Sequence, residues 1–418
     1  MSGLALGRAP PHTRPLRFLL TSPLWGVVAG AMLALDPGVL AGRWAPQAVA
    51  LVHVFTLGVL GNAMLGSLLQ FLPVAAATPV PAATFAPWLH AALNTGLLLL
   101  LAGLYRYHAL LAPASALLGI ALLGLALPTL PGLLRAGGQR LLRAGLGVAL
   151  SMLALTVLLG ALAAAVLAGR IALPLDRLAD AHATLGLGGW MLVLLGAVGA
   201  TTVPMFQGTA AVPARALRGW LVASTVLLVL AACARLHDAP AWLPASALAL
   251  PALAFAAAVL WLQGHAPHRR NLPLVRAWRA GCLAVAVGSV LACAASLDLH
   301  PDAAVLAGVV GIGIGLPLLV NGMLLEIVAF ITWIALRERC PRGVRILAVG
   351  RLLPDSDKHA ALLAHLLAAV LLVAAVAWPP LHVVAGLALA LAYAIQLAGL
   401  LRCLRRAATF AREHGAPG

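Results

Sequence analysis

The sequence predicts an all-α polytopic membrane protein of about twelve transmembrane helices. Three observations carry that prediction. The chain of 418 residues is 63% hydrophobic and 9% charged, whereas soluble domains are about 45–50% apolar and about 25% charged. Its apolar residues fall into long runs, and roughly 20 such residues cross a bilayer. Its cationic residues sit between those runs and favour one side.

The runs follow in order. The first, 18–40, succeeds a short arm (1–17) bearing Arg8, Arg14 and Arg17. No small-residue cleavage pattern leads from it into a soluble domain, so it reads as a retained helix. Next come 47–74, 88–107 and 108–132, the last two separated only by the tight junction Tyr105-Arg106-Tyr107-His108. The runs 142–168, 180–207, 216–236 and 241–263 are divided by short polar or Pro-containing loops. The final four are 276–297, 303–336, 359–378 and 382–403, which leaves 404–418 as a tail. The spanning domain is thus 18–403, and no extramembrane domain is expected.

Charge tests the count. With the N-terminus in the cytoplasm, 22 of the 27 cationic residues fall on the cytoplasmic side, and both termini lie there. A missed helix would scramble that asymmetry. The basic loop Arg337–Lys358 is expected to lie on the membrane surface. A net charge of +16 in a soluble chain would suggest nucleic acid, but no basic run here is interleaved with aromatics. The expected partner is the lipid bilayer. The five cysteines form no CxxC pair or CxxCH motif, which argues against a zinc knuckle, a disulfide framework or covalently attached haem.

Two runs resemble each other. HVFTLGVLGNAMLGSLLQFLPV begins at His53, and HATLGLGGWMLVLLGAVGATTVPMFQ begins at His182; each has a Gly-rich middle and a late proline, Pro73 and Pro204. The tenth run, AGVVGIGIGLPLLVNGMLLEIVAF, has the same texture without the histidine. These runs are four apart in order, so the chain reads as three four-helix units about a pseudo-threefold axis.

His53 and His182 are the first candidate ligands. At 100° per residue, His182 shares a face with Gly186, Gly189, Gly196 and Gln207. A histidine above a stripe of small residues suits a flat macrocycle, and the same stripe suits close helix packing. His90 and His365, near the cytoplasmic ends of their helices, form a second candidate cofactor pair, with interfacial snorkelling as the alternative. Glu326 is the one acid well inside a predicted span; it suits proton relay or cation binding, or a pair with a cytoplasmic Arg. Asn62, Gln207 and Asn321 are the remaining intramembrane polar candidates, most simply interhelical hydrogen bonders.

The runs beginning at His53 and His182, with NGMLLEIVAFITW, resemble divergent relatives of haem-copper oxidase subunit I, similar in outline to the NnrS family of bacterial membrane proteins. The resemblance covers most of the chain in topology and three short runs in sequence. It implies a bacterial cytoplasmic (inner) membrane protein with haem as cofactor and copper as a further metal. By position, His53 would ligate haem and His182 copper, in the service of small-gas (nitric oxide or oxygen) handling or electron transfer with a redox or assembly partner. The seventh run lacks the family's His-His pair, the tenth lacks its two histidines, and the sixth lacks its tyrosine, so the full oxygen-reducing ligand set is not expected. Two other classes suit the same topology: a secondary transporter, and a non-catalytic assembly or regulatory subunit.

Overall fold

The computed structural model describes residues 6–414 apart from 136, 138, 269 and 342. Twelve of the described helices are long and apolar enough to cross a membrane, and no strand occurs among the described residues. They are α1 (Thr13–Leu35), α2 (Pro46–Val74), α3 (Pro81–Tyr105), α4 (His108–Arg135), α5 (Arg140–Leu167), α6 (Leu175–Gln207), α7 (Ala214–Leu236), α8 (Trp242–Gly264), α9 (Leu272–Ser296), α10 (Ala303–Arg339), α11 (Asp355–Ala377) and α12 (Pro379–His414). Each expected run corresponds to one helix.

Large apolar side chains point outward along the bundle: Leu98, Ile120, Leu158, Val226, Leu363 and Leu391 are exposed. In water such a surface would aggregate; in a bilayer it is the solvated face. Exposed Trp44, Trp242 and Trp378 lie near one end of the spans, and Trp88 and Trp261 near the other, as aromatic residues do at membrane interfaces.

The packing repeats every four helices. α4 lies on α5, α8 on α9, and α12 returns to α1, which closes a ring. The closing seam depends on two glycines. A Cβ on Gly30 would strike the Gly386 carbonyl and the Ala390 amide, and one on Gly386 would strike the Gly30 carbonyl and Ala34. Small residues let backbones approach this closely. Inside the ring, α2, α6 and α10 surround a cavity of about 110 Å³ whose lining includes Met64, Phe71, Met205, Phe206, Met323 and Phe330.

These three inner helices share a further feature. Each contains a π-helical stretch: Val54–Gly61 in α2, Thr184–Leu192 in α6 and Gly308–Gly315 in α10. A π turn widens the helix and re-aims the residues beyond it, and such turns are frequent at functional sites. Neighbouring groups satisfy displaced carbonyls in α2. Ser22 Oγ donates to Val59 O at 2.8 Å, and Asn62 Nδ2 donates to Gly58 O at 2.9 Å.

Several helix boundaries differ from the sequence expectation, among them the first and the last. α1 begins at Thr13, so Arg14 and Arg17 belong to its first turns. α12 continues to His414, since Arg402 and Arg406 bind Asp357 at 2.8 Å each and Cys403 is buried. Residues 1–5 and 415–418 lie outside the described residues. The segment after Arg339 is anchored within the protein: Leu352 and Leu353 are fully buried, and Arg406 donates to Leu352 O at 2.9 Å.

Candidate functional site

His53 and His182 come together. Each is the eighth residue of its helix, so the two enter from the same end at equal depth. Their ring centres lie 6.2 Å apart with 26° between the ring planes. Both rings are half-buried. His53 Nδ1 is 2.8 Å from Val49 O on its own helix, and His182 Nδ1 is 2.9 Å from Thr156 O on α5. A carbonyl only accepts, so each Nδ1 carries the proton and each Nε2 presents a lone pair. Neither Nε2 has a hydrogen-bond partner among the described residues. One nitrogen tethered to a carbonyl and the other free is the arrangement of a metal-binding imidazole. The His182 ring also rests against Gly160 of α5, where a Cβ would stand 2.9 Å from Cε1.

The glycine stripe on α6 is filled. Gly186 lies against Thr156 and Gly189 against Met152, both on α5. Beyond the π turn the stripe leaves that neighbour: Gly196 meets Trp220 on α7, and Gln207 Oε1 accepts from Gln263 Nε2 on α8 at 2.7 Å. A wheel at 100° per residue does not follow this change of phase. The stripe therefore serves helix packing and leaves no slot on that face of α6 for a flat ring.

A mostly apolar cavity of about 340 Å³ lies between the inner helices at this end. Val52, Phe55, Ala183, Thr184, Gly308 and Gly311 contribute to its wall, so the direct neighbours of both histidines line it while the two imidazoles do not. Arg43 and Asp180 also line it, joined at 2.6 Å. Asp180 also accepts from Arg235 Nε at 2.9 Å, and Arg235 reaches Asp176 at 2.7 Å. Position-by-position reading of the sequence does not reveal this charge network.

His90 and His365 occupy different settings. His90 Nε2 is 2.9 Å from Thr21 Oγ1, and its ring stands edge-on to Phe18. Next to it, Asn62 and Asn94 join each other and Trp25 Nε1 donates to Asn94 Oδ1 at 2.6 Å, which ties α1, α2 and α3 together. His365 Nδ1 is 2.9 Å from Ala361 O, and its ring stands edge-on to Tyr393 on α12. No contact joins His90 to His365 among the described residues, and no group of three or more His, Cys, Asp or Glu side chains there is arranged to hold a metal ion.

Glu326 is buried and paired, and its partner is Lys358, the single lysine of the chain, at 2.6 Å. The sequence suggested an arginine; the lysine reaches it because α11 begins at Asp355 and places Lys358 inside the bundle. Asn321 lies earlier on the same helix and faces the same small cavity as Glu326.

A comparison with protein-family models and with curated protein sequences finds no match for this chain.

Proposed function

We propose that this membrane protein holds a copper ion between His53 and His182 and uses that site for small-gas handling or electron transfer. One observation carries the reading: two imidazoles at matched depth, 6.2 Å between centres, with both Nδ1 atoms tethered to carbonyls. Two ring nitrogens on one ion, each about 2.0 Å from it, keep the ring centres within about 6.5 Å. Imidazole suits copper, and a site with only two protein ligands leaves positions open for an exogenous diatomic molecule. This is unlike the closed four-ligand pattern of structural zinc. Copper bound there would supply one-electron chemistry or a site for nitric oxide or oxygen. The chain's own part is to fix both tautomers, hold the rings at one depth and offer the adjoining apolar cavity as volume into which an apolar gas partitions.

Haem fits this pair less well. A macrocycle needs open area beside its ligand, and here the glycines that would cradle it are covered by Thr156, Met152 and Trp220. The four-helix period of the ring packing supports the oxidase-like reading over a transporter built from two inverted halves. We further infer that the arginine-rich end faces the cytoplasm of a bacterial inner membrane, with both termini there.

The test is metal analysis and spectroscopy of detergent-purified protein from cells supplied with copper and haem. The expected result is one copper per chain, lost in both His53→Gln and His182→Gln. Stoichiometric iron with a Soret band, lost in the same variants, would replace copper by haem. Neither metal in the folded protein would overturn the reading.

A further inference from the structure

Far from the histidine pair, at the arginine-rich end, five polar side chains from three helices surround a cavity of about 30 Å³. They are Asn321 and Glu326 on α10, Lys358 and His365 on α11, and Gln396 on α12, each at least nine-tenths buried. Both amide atoms of Asn321 and of Gln396, and Nε2 of His365, make no well-formed hydrogen bond among the described residues, and nor does the Tyr393 hydroxyl, which lies beside Asn321. Glu326 Oε1 has only its ion pair. Because His365 Nδ1 is bound to Ala361 O, its free Nε2 is an acceptor. So many unpaired polar atoms do not persist in a dry interior. A void needs about 10–15 Å³ to admit one water, which then makes about three hydrogen bonds. The cavity has room for one or two waters and the polar partners to hold them.

The cluster also reaches solvent. Lys358 Nζ lies 2.6 Å from buried Glu326 and 3.7 Å from Asp355, whose side chain is 64% exposed. We propose that the cavity is hydrated and that Lys358, held by Glu326, and His365 form through its water a proton-transfer site, supplied from the arginine-rich end by Asp355. In the transfer, a Lys358 N–H bond breaks and its proton goes to the cavity water. That water releases another proton, which forms an N–H bond at His365 Nε2. Lys358 regains a proton from the Asp355 carboxyl, which takes one from bulk water. One proton moves inward, and nothing is oxidised or reduced. The other groups near this path are Tyr393 at the His365 ring, and Cys403 with Asp357, Arg402 and Arg406 beside Lys358. α9 contributes Pro273, Leu274 and Ala277 to the wall, none of which titrates. The site is independent of whether copper binds at the other end.

The test is hydrogen–deuterium exchange followed by infrared spectroscopy on the full chain in lipid vesicles. Loss of a band in His365→Gln identifies the imidazole mode, and loss in Glu326→Gln identifies the carboxylate mode. In the unmodified protein the imidazole band should shift within seconds of the change to deuterated buffer, while core amides stay protonated for hours. Asp355→Asn, at an exposed position that leaves folding intact, should slow that shift at least tenfold. An imidazole band that exchanges no faster than the core amides would overturn the proposal. An unchanged rate in Asp355→Asn would overturn it as well.

Discussion

Lys358→Met should destabilise this protein more than Glu326→Gln, although both break the same ion pair. The two partners are 2.6 Å apart and almost wholly buried, with side-chain exposures of 7% and 5%. Lys358 has a second acidic neighbour, Asp355 at 3.7 Å, whereas Glu326 has no other cationic partner among the described residues. Removing the ammonium therefore strands a buried carboxylate, which costs about 3–5 kcal/mol. Removing the carboxylate leaves an ammonium that keeps Asp355 and gains an amide oxygen, for a cost of about 1–3 kcal/mol. The double variant strands no charge and should fall within about 1 kcal/mol of the unmodified protein, since a buried pair recovers little beyond its desolvation cost. The double-mutant cycle should thus give a coupling of at least about 3 kcal/mol. Equilibrium unfolding in mixed detergent, followed by the fluorescence of the ten tryptophans, reads all four stabilities. Equal losses in the two single variants, or additive losses in the double, would refute the reasoning.

Three further outcomes follow from the packing and the charges. Gly160→Ala places a methyl 2.9 Å from His182 Cε1 and must turn that ring; copper affinity, measured against a competing chelator, should fall about 10–100-fold while both ligands remain. Gly30→Ala drives a Cβ into the Gly386 carbonyl and the Ala390 amide, which cannot rotate away. It should open the α1–α12 seam at a cost of about 1–3 kcal/mol, visible as an earlier thermal transition, and Gly386→Ala should add little once the seam is open. His12 at the start of α1 lies 3.4 Å from Arg339 at the end of α10. Burial, then the Arg339 guanidinium, hold its imidazole below the ordinary 6.5. The free arm then binds a proton more readily than the docked one, so docking is fully stable above about pH 6.5 and weakens below it. After allowance for the slower intrinsic amide exchange at lower pH, protection of residues 6–14 should fall between pH 8 and pH 5.5, and His12→Gln should abolish the difference.

The spans were legible because the bilayer imposes one length and one composition on every helix that crosses it. The repeat was legible too: the three Gly-rich runs singled out in the sequence are the helices that carry the π turns and surround the central cavity. The face of α6 was legible only as far as Gly189. Past that point the π turn shifts the phase, and a sequence does not announce a π turn. The hydrogen-bonding of Asn62 and Gln207 follows from their chemistry, but their partners, Asn94 and Gln263, lie on other helices.

By itself the sequence determined the class, the count of spans and the pair of helices bearing deep histidines, since each rests on local composition and periodicity. Only the tertiary structure decided that His53 and His182 meet at 6.2 Å while His90 and His365 serve separate neighbours. It also decided that Glu326 is answered by Lys358, a residue 32 positions away that reads in sequence as part of a basic loop. The reason is physical. In a ring of helices the neighbour of a buried polar group is set by which helices close against each other, and that closure depends on backbone contacts such as Gly30 on Gly386.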